Sequence, residues 1–209
     1  MTESMLIYCA DIGSVKNGRF GWARLGRPGG DLVVTGGDDI GALVTSTARD
    51  LNAGFSVALG FECPLYVPIS EDPNGLTSAR TGEGSRCWCA GAGAGALATG
   101  LTEAVWILRH IRAELEYGIP AFLDWTAFQN CRQGFFLWEA FVTGQAKGGS
   151  HQHDAEIAVR AFASALPDIP SANAVKADDV HSLIGAALLR TGWSSDLTLL
   201  SKACVVIRG

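Results

Sequence analysis

The chain has 209 residues, 48% of them hydrophobic and 18% charged, with a formal net charge of -5 and a pI of about 5.3. That composition supplies the core of one domain and excludes a disordered chain. The acidic balance argues against a dedicated non-specific DNA binder, whose surface is basic, although it leaves a local basic groove open.

Six cysteines occur, and Cys9, Cys63 and Cys204 lie in or beside apolar, strand-like runs, as reduced buried thiols do. The start MTESMLIYC lacks the basic region, apolar run and cleavage site of a signal peptide. The stretch from Ala90 to Leu108 is mostly Gly and Ala, includes Glu103, and makes a poor membrane span. A cytoplasmic location without membrane attachment is expected.

In chain order, residues 5–10 (MLIYCA) predict a buried strand that ends at Asp11. Asn17-Gly18 is a tight-turn dipeptide, and RFGWARL (19–25) predicts an antiparallel second strand. Gly29-Gly30 marks another turn before DLVVTGG (31–37), so three strands form a meander. Asp38 or Asp39 caps a helix to about Asn52, with Ile40, Leu43, Val44, Thr47 and Leu51 at helical spacing. FSVALGF (55–61) is continuously apolar, as a central strand covered on both faces requires, and ends at Glu62.

Residues 63–90 predict a long loop rich in Pro, Gly, Ser and charge. Residues 91–117 predict a long helix with the stripe Leu101, Val105, Leu108, Ile111 and Leu115, buried against the domain or a second subunit, so a homodimer is allowed. AFLDW (121–125) and FFLWEAF (135–141) predict strands, 152–166 and 177–192 helices, and 202–209 a short last strand. The expectation is a single α/β domain: a mixed central sheet opening with a three-strand antiparallel meander, with helices on both faces.

Three acidic sites fall where such a sheet converges. Asp11 ends the first strand and Glu62 the fourth, while Asp178 and Asp179 open the helix predicted at 177–192, with His181 on the face of Asp178. Carboxylates in that arrangement suit a hard divalent cation such as Mg²⁺ or Mn²⁺, and crowding them without one is unfavourable. ADIGS followed by KNGRFGWARL resembles the first hairpin of RuvC-type resolvases and their relatives. ALGFE resembles the strand carrying their second acidic residue, and KADDVHSLIGAALL their last helix. FLWEAF, with Glu139, resembles the Glu-aromatic motif of a group of ribonuclease H-like bacterial proteins.

The resemblance implies a ribonuclease H-like fold and a metal-dependent phosphodiester hydrolase, a nuclease acting on nucleic acid. Asp11, Glu62, Asp178 and His181 would be its catalytic groups, and Asp11, Glu62, Asp178, Asp179 and Glu139 its metal ligands. For Glu139 a satisfied core carboxylate is the competing reading. A catalytically silent ribonuclease H-like binding module is one alternative function. A nucleotide- or phosphate-handling protein of the actin-like ATPase kind is another, since ADIGS also resembles a phosphate motif of that class, although one 209-residue domain supplies only one of its two lobes.

Weaker signals remain. Cys87-x-Cys89 and His151-x-His153 offer a zinc donor set at an unusual spacing. Gly91 to Gly95 opens a helix with small residues but lacks the Lys-Ser/Thr of a P-loop. Lys16, Arg19, Arg24 and Arg27 on the first hairpin, with Arg80 and Arg86 in the long loop, are candidates for backbone phosphate contacts or simply solvated charges.

Overall fold

A computed structural model describes residues 5–26, 33–84 and 87–209. The chain runs β1 (Met5–Asp11), β2 (Gly21–Gly26), β3 (Val33–Gly37), α1 (Ile40–Asn52), β4 (Ser56–Phe61) and β5 (Tyr66–Pro68). It continues through α2 (Gly91–Ala113), β6 (Ala121–Phe122), α3 (Trp125–Gln129), β7 (Phe135–Phe141), α4 (His151–Ala165), β8 (Val180–Ser182), α5 (Leu183–Arg190) and β9 (Val206–Arg208). The turn expected at Gly29-Gly30, the first two residues of the third predicted strand, Arg27 and Arg86 lie outside the described residues.

The main sheet has the order β3-β2-β1-β4-β7-β6, with β9 also on β7. β1, β2 and β3 form the antiparallel meander, while β4 runs parallel to β1 and β7 parallel to β4. β6 pairs with the start of β7 and β9 with its end, so two short strands complete its outer edge. Residues 5–11 and 56–61, the first and fourth strands, therefore lie side by side.

Strand alternation divides the interior into two cores. Leu6, Tyr8, Val57 and Leu59 face α1, α2 and α5, whereas Ile7, Cys9, Ala58 and Trp138 face α3 and α4. Both faces of β1 and β4 are thus dry, which is why their sequences are continuously apolar. On α1, Asp39 accepts hydrogen bonds from the Gly41 and Ala42 N–H groups, and Leu43, Val44, Thr47 and Leu51 are buried as the spacing predicts. Cys9, Cys63 and Cys204 are buried free thiols.

Four expectations need correction. First, α2 buries Ala104, Ile107, Leu108 and Ile111, while Leu101 stays half exposed and Val105 only packs on the edge of the core. The inner stripe is rotated because the small residues Gly100 and Ala104 let the helix sit close; a Cβ at Gly100 would lie 2.5 Å from Cys63 Sγ. By length and composition α2 could cross a membrane, alone among the described helices.

Second, the 63–90 loop is not structureless: β5 pairs antiparallel with β8 in a separate two-stranded sheet. Third, the helix predicted from 177 begins only at Leu183. Val180 and Ser182 point inward and His181 outward, a strand alternation. The Asp179 carbonyl accepts from Ile69 N–H, and Ser182, not an aspartate, caps α5 through Gly185 N–H. Fourth, AFLDW divides, since Asp124 caps α3 through Ala127 N–H.

Candidate active site

β1 and β4 run parallel and end together, so Asp11 and Glu62 emerge side by side at the carboxyl edge of the sheet. Their third partner comes from α4. Ser150 caps this helix by accepting from His153 N–H, and Asp154 lies in its first turn, where a carboxylate is favoured by the helix dipole. One oxygen each from Asp11, Glu62 and Asp154 lie within 4.8 Å of one another, a grouping able to hold a metal ion.

The docking of α4 depends on Gly21, which pairs across from Asp11. A Cβ on Gly21 would lie 2.2 Å from the Gln152 nitrogen, so glycine alone lets the helix start approach the sheet. This approach brings His151 Nδ1 to 2.6 Å from Asp11 Oδ2. Asp154 is fixed by Gly148 N–H on one oxygen and Lys147 Nζ, at 3.1 Å, on the other. Lys147 Nζ also lies 3.5 Å from Glu62.

Burial pushes the Glu62 carboxyl up to about 9, aided by the neighbouring Asp11 charge. Burial raises Asp11 as well, to about 6, with Lys147 pulling against it and Asp154 and Glu103 reinforcing it. Asp11 and Glu62 are close enough to share one proton. Glu62 Oε2 and Glu103 Oε2 are both buried with no hydrogen-bond partner. The residues fit a hard divalent cation: three oxygen donors, excess negative charge and an oxygen without a partner.

The cluster opens into a cleft of about 430 Å³, lined by Ser14, Arg19, Lys147 and His151 near the carboxylates and by the first turns of α2 opposite. At its floor, Arg80 is fully buried and bridges two acids. Its Nη1 and Nη2 donate to Glu139 at 2.8 and 2.7 Å, and its Nε and Nη2 donate to Glu83. Leu65 N–H donates to Glu139 as well.

Asp11 and Glu62 are therefore brought together as the sequence suggests, while the other candidates are placed elsewhere. Asp178, Asp179 and His181 are exposed, because the segment is a strand paired with β5 rather than a helix start over the sheet. His181 lines a different, apolar groove between α2 and α5. Glu139 has both oxygens committed to Arg80 and Leu65 and is a satisfied core carboxylate. Arg80 is a buried partner, not a solvated loop charge, and Arg24 pairs with Asp50 at 2.6 Å. Cys87 and Cys89 lie together with their sulfurs 2.9 Å apart, but His151 is on Asp11, and among the described residues no cluster joins these groups.

Asp154, His151 as a partner of Asp11, Lys147 and Glu103 are the groups that sequence reasoning missed. A signal for two of them exists. Ala155, Ala158, Val159 and Phe162 form the buried stripe of α4, and four residues back from Ala155 and Ala158 stand His151 and Asp154. Ionisable groups on the apolar face of an amphipathic helix need a partner.

No family model, curated protein or solved structure matches the chain.

Proposed function

We propose that the chain is a metal-dependent phosphodiester hydrolase of the ribonuclease H-like type, acting on nucleotide phosphodiesters. The observation that carries this reading is the convergence of Asp11, Glu62 and Asp154, the first two lining an open cleft, with His151 and Lys147 against the cluster. The order β3-β2-β1-β4-β7, a meander followed by parallel strands, is the one expected of that fold and supports it.

Asp11, Glu62 and Asp154 would hold one or two Mg²⁺ or Mn²⁺ ions, which supply charge stabilisation at the phosphoryl oxygens and lower the pKa of bound water. The protein's own groups do the rest. With Nδ1 held by Asp11, His151 has Nε2 left, and in this reading it would take or return a proton at the reacting oxygens. Lys147 offers a positive charge, 43% exposed, that offsets the carboxylates before a cation binds and would meet a phosphate oxygen afterwards. Arg19 stands on the cleft wall for the same kind of contact.

The test is the melting shift with Mn²⁺ for wild type and Asp11→Asn, followed by cleavage assays on nucleotide phosphodiesters. The wild type should be stabilised by mass action and should cleave; Asp11→Asn should lose most of both. An equal Mn²⁺ shift in the two proteins would place the metal elsewhere.

A further inference from the structure

The three carboxylates are recessed. Their side chains are only 4% (Asp11), 12% (Glu62) and 6% (Asp154) exposed, and Asp11 and Glu62 line the cleft. One wall is the start of α2, where Ala92, Gly93, Gly95 and Ala96 present small residues. That wall is continuous with the loop before it, since a Cβ on Gly93 would lie 2.2 Å from the Cys87 carbonyl oxygen. Phe141, the last residue of β7, and Val142 after it line the cleft as well.

A duplex carries its phosphates on a rigid cylinder and binds through many of them, about six to ten contacts for a typical site. The described cations on this cleft are few. Arg19 lines it, Lys147 already lies against Glu62 and Asp154, and Arg80 is buried between Glu83 and Glu139. A space of about 430 Å³ instead falls in the range of small-molecule pockets.

We infer that the cleft takes its phosphodiester end-on, in a piece of about dinucleotide size, either free or at the terminus of a single strand, and excludes a continuous duplex. This rests on the phosphodiesterase reading above. In the reaction a water oxygen bonds to phosphorus and the P–O bond to one nucleoside breaks. The departing oxygen takes up a proton, leaving an alcohol and a phosphomonoester.

The experiment uses the full chain with Mn²⁺ and four probes: thymidylyl-thymidine, a linear single-stranded oligonucleotide, a circular single strand and a closed circular duplex. Cleavage of the dinucleotide, alone or with trimming of the linear strand from an end, is expected; the first pattern identifies a small diester and the second a strand terminus. Both circles should react at least 100-fold more slowly.

Gly95→Phe provides the second arm. Gly95 lines the cleft, and a Cβ there meets nothing within 4 Å, so a ring can be added at the cleft wall without disturbing the helix. It should lower kcat/KM on the dinucleotide at least tenfold while leaving the Mn²⁺ melting shift unchanged.

Either circle cut as fast as the linear strand overturns the inference while the phosphodiesterase reading stands, and so does an unchanged rate in Gly95→Phe. No cleavage of any probe overturns both.

Discussion

Replacing Glu62 with glutamine separates the electrostatic cost of the carboxylate cluster from its use. In the metal-free protein Glu62 titrates at about 9 instead of its ordinary 4.5, so at pH 7 it is protonated when folded and ionised when unfolded. A raised carboxyl pKa means that the folded state binds the extra proton. Stability is then lost as pH rises from about 4.5 towards 9. At pH 7 the interval above the unfolded value is ~2.5 pH units, which at about 1.36 kcal/mol each gives roughly 3 kcal/mol as an upper figure.

A glutamine in that place carries no such penalty, and its amide can donate to Asp11 as the protonated acid does. Glu62→Gln should therefore stabilise the metal-free protein at pH 7 by on the order of 2–3 kcal/mol, a rise in Tm of roughly 5–10 °C for a chain of this length. The gain should vanish at pH 4.5 and grow up to about pH 9. The same variant should lose most of the stabilisation by Mn²⁺, because an amide is a poorer ligand for a hard cation. The assay is thermal melting at pH 4.5, 7 and 9 with chelator or with Mn²⁺. A variant less stable than wild type at pH 7 in chelator, or one that keeps the full Mn²⁺ shift, would refute the reasoning.

Asp154→Asn should abolish most of the Mn²⁺ melting shift, whereas Asp178→Asn, at an exposed position, should leave both the shift and the metal-free Tm unchanged; calorimetric titration with Mn²⁺ checks the pair. Arg80→Met strands the buried Glu139 and Glu83 without their cation and should destabilise by about 3–5 kcal/mol in denaturant unfolding. Ile107→Ala should cost about 2–5 kcal/mol, because the side chain is fully buried. Leu101→Ala, half exposed on the same helix, should change stability by less than about 1 kcal/mol.

The sheet was legible because its two central strands are dry on both faces and say so in sequence, and because Asn17-Gly18 and Asp39 mark a turn and a cap by local chemistry. Asp11 and Glu62 were legible for the same reason: each is the first carboxylate after an apolar run. The third carboxylate was not. Asp178-Asp179 carries the local signature of a helix cap, but β5 needs a pairing partner, and the segment 180–182 becomes a strand to satisfy it. Asp154 was hidden in a polar helix start. Its place on the buried stripe of α4 is its one sequence signal, and what seats that helix start beside Asp11 is the close approach at Gly21, a contact between residues far apart in the chain.

The fate of Glu139 likewise turned on distance in sequence, since its partner Arg80 lies 59 residues away. From the sequence alone, a glutamate in an apolar strand that is free to hold a metal and one neutralised by a distant arginine look alike.

The most direct test of the central claim is anomalous diffraction from crystals of the protein soaked in Mn²⁺. The account predicts one or two peaks at about 2.1 Å from carboxylate oxygens of Asp11, Glu62 and Asp154, with Lys147 displaced from Glu62. A map with its manganese peaks elsewhere, or with the cluster and Lys147 unchanged at saturating Mn²⁺, would contradict it.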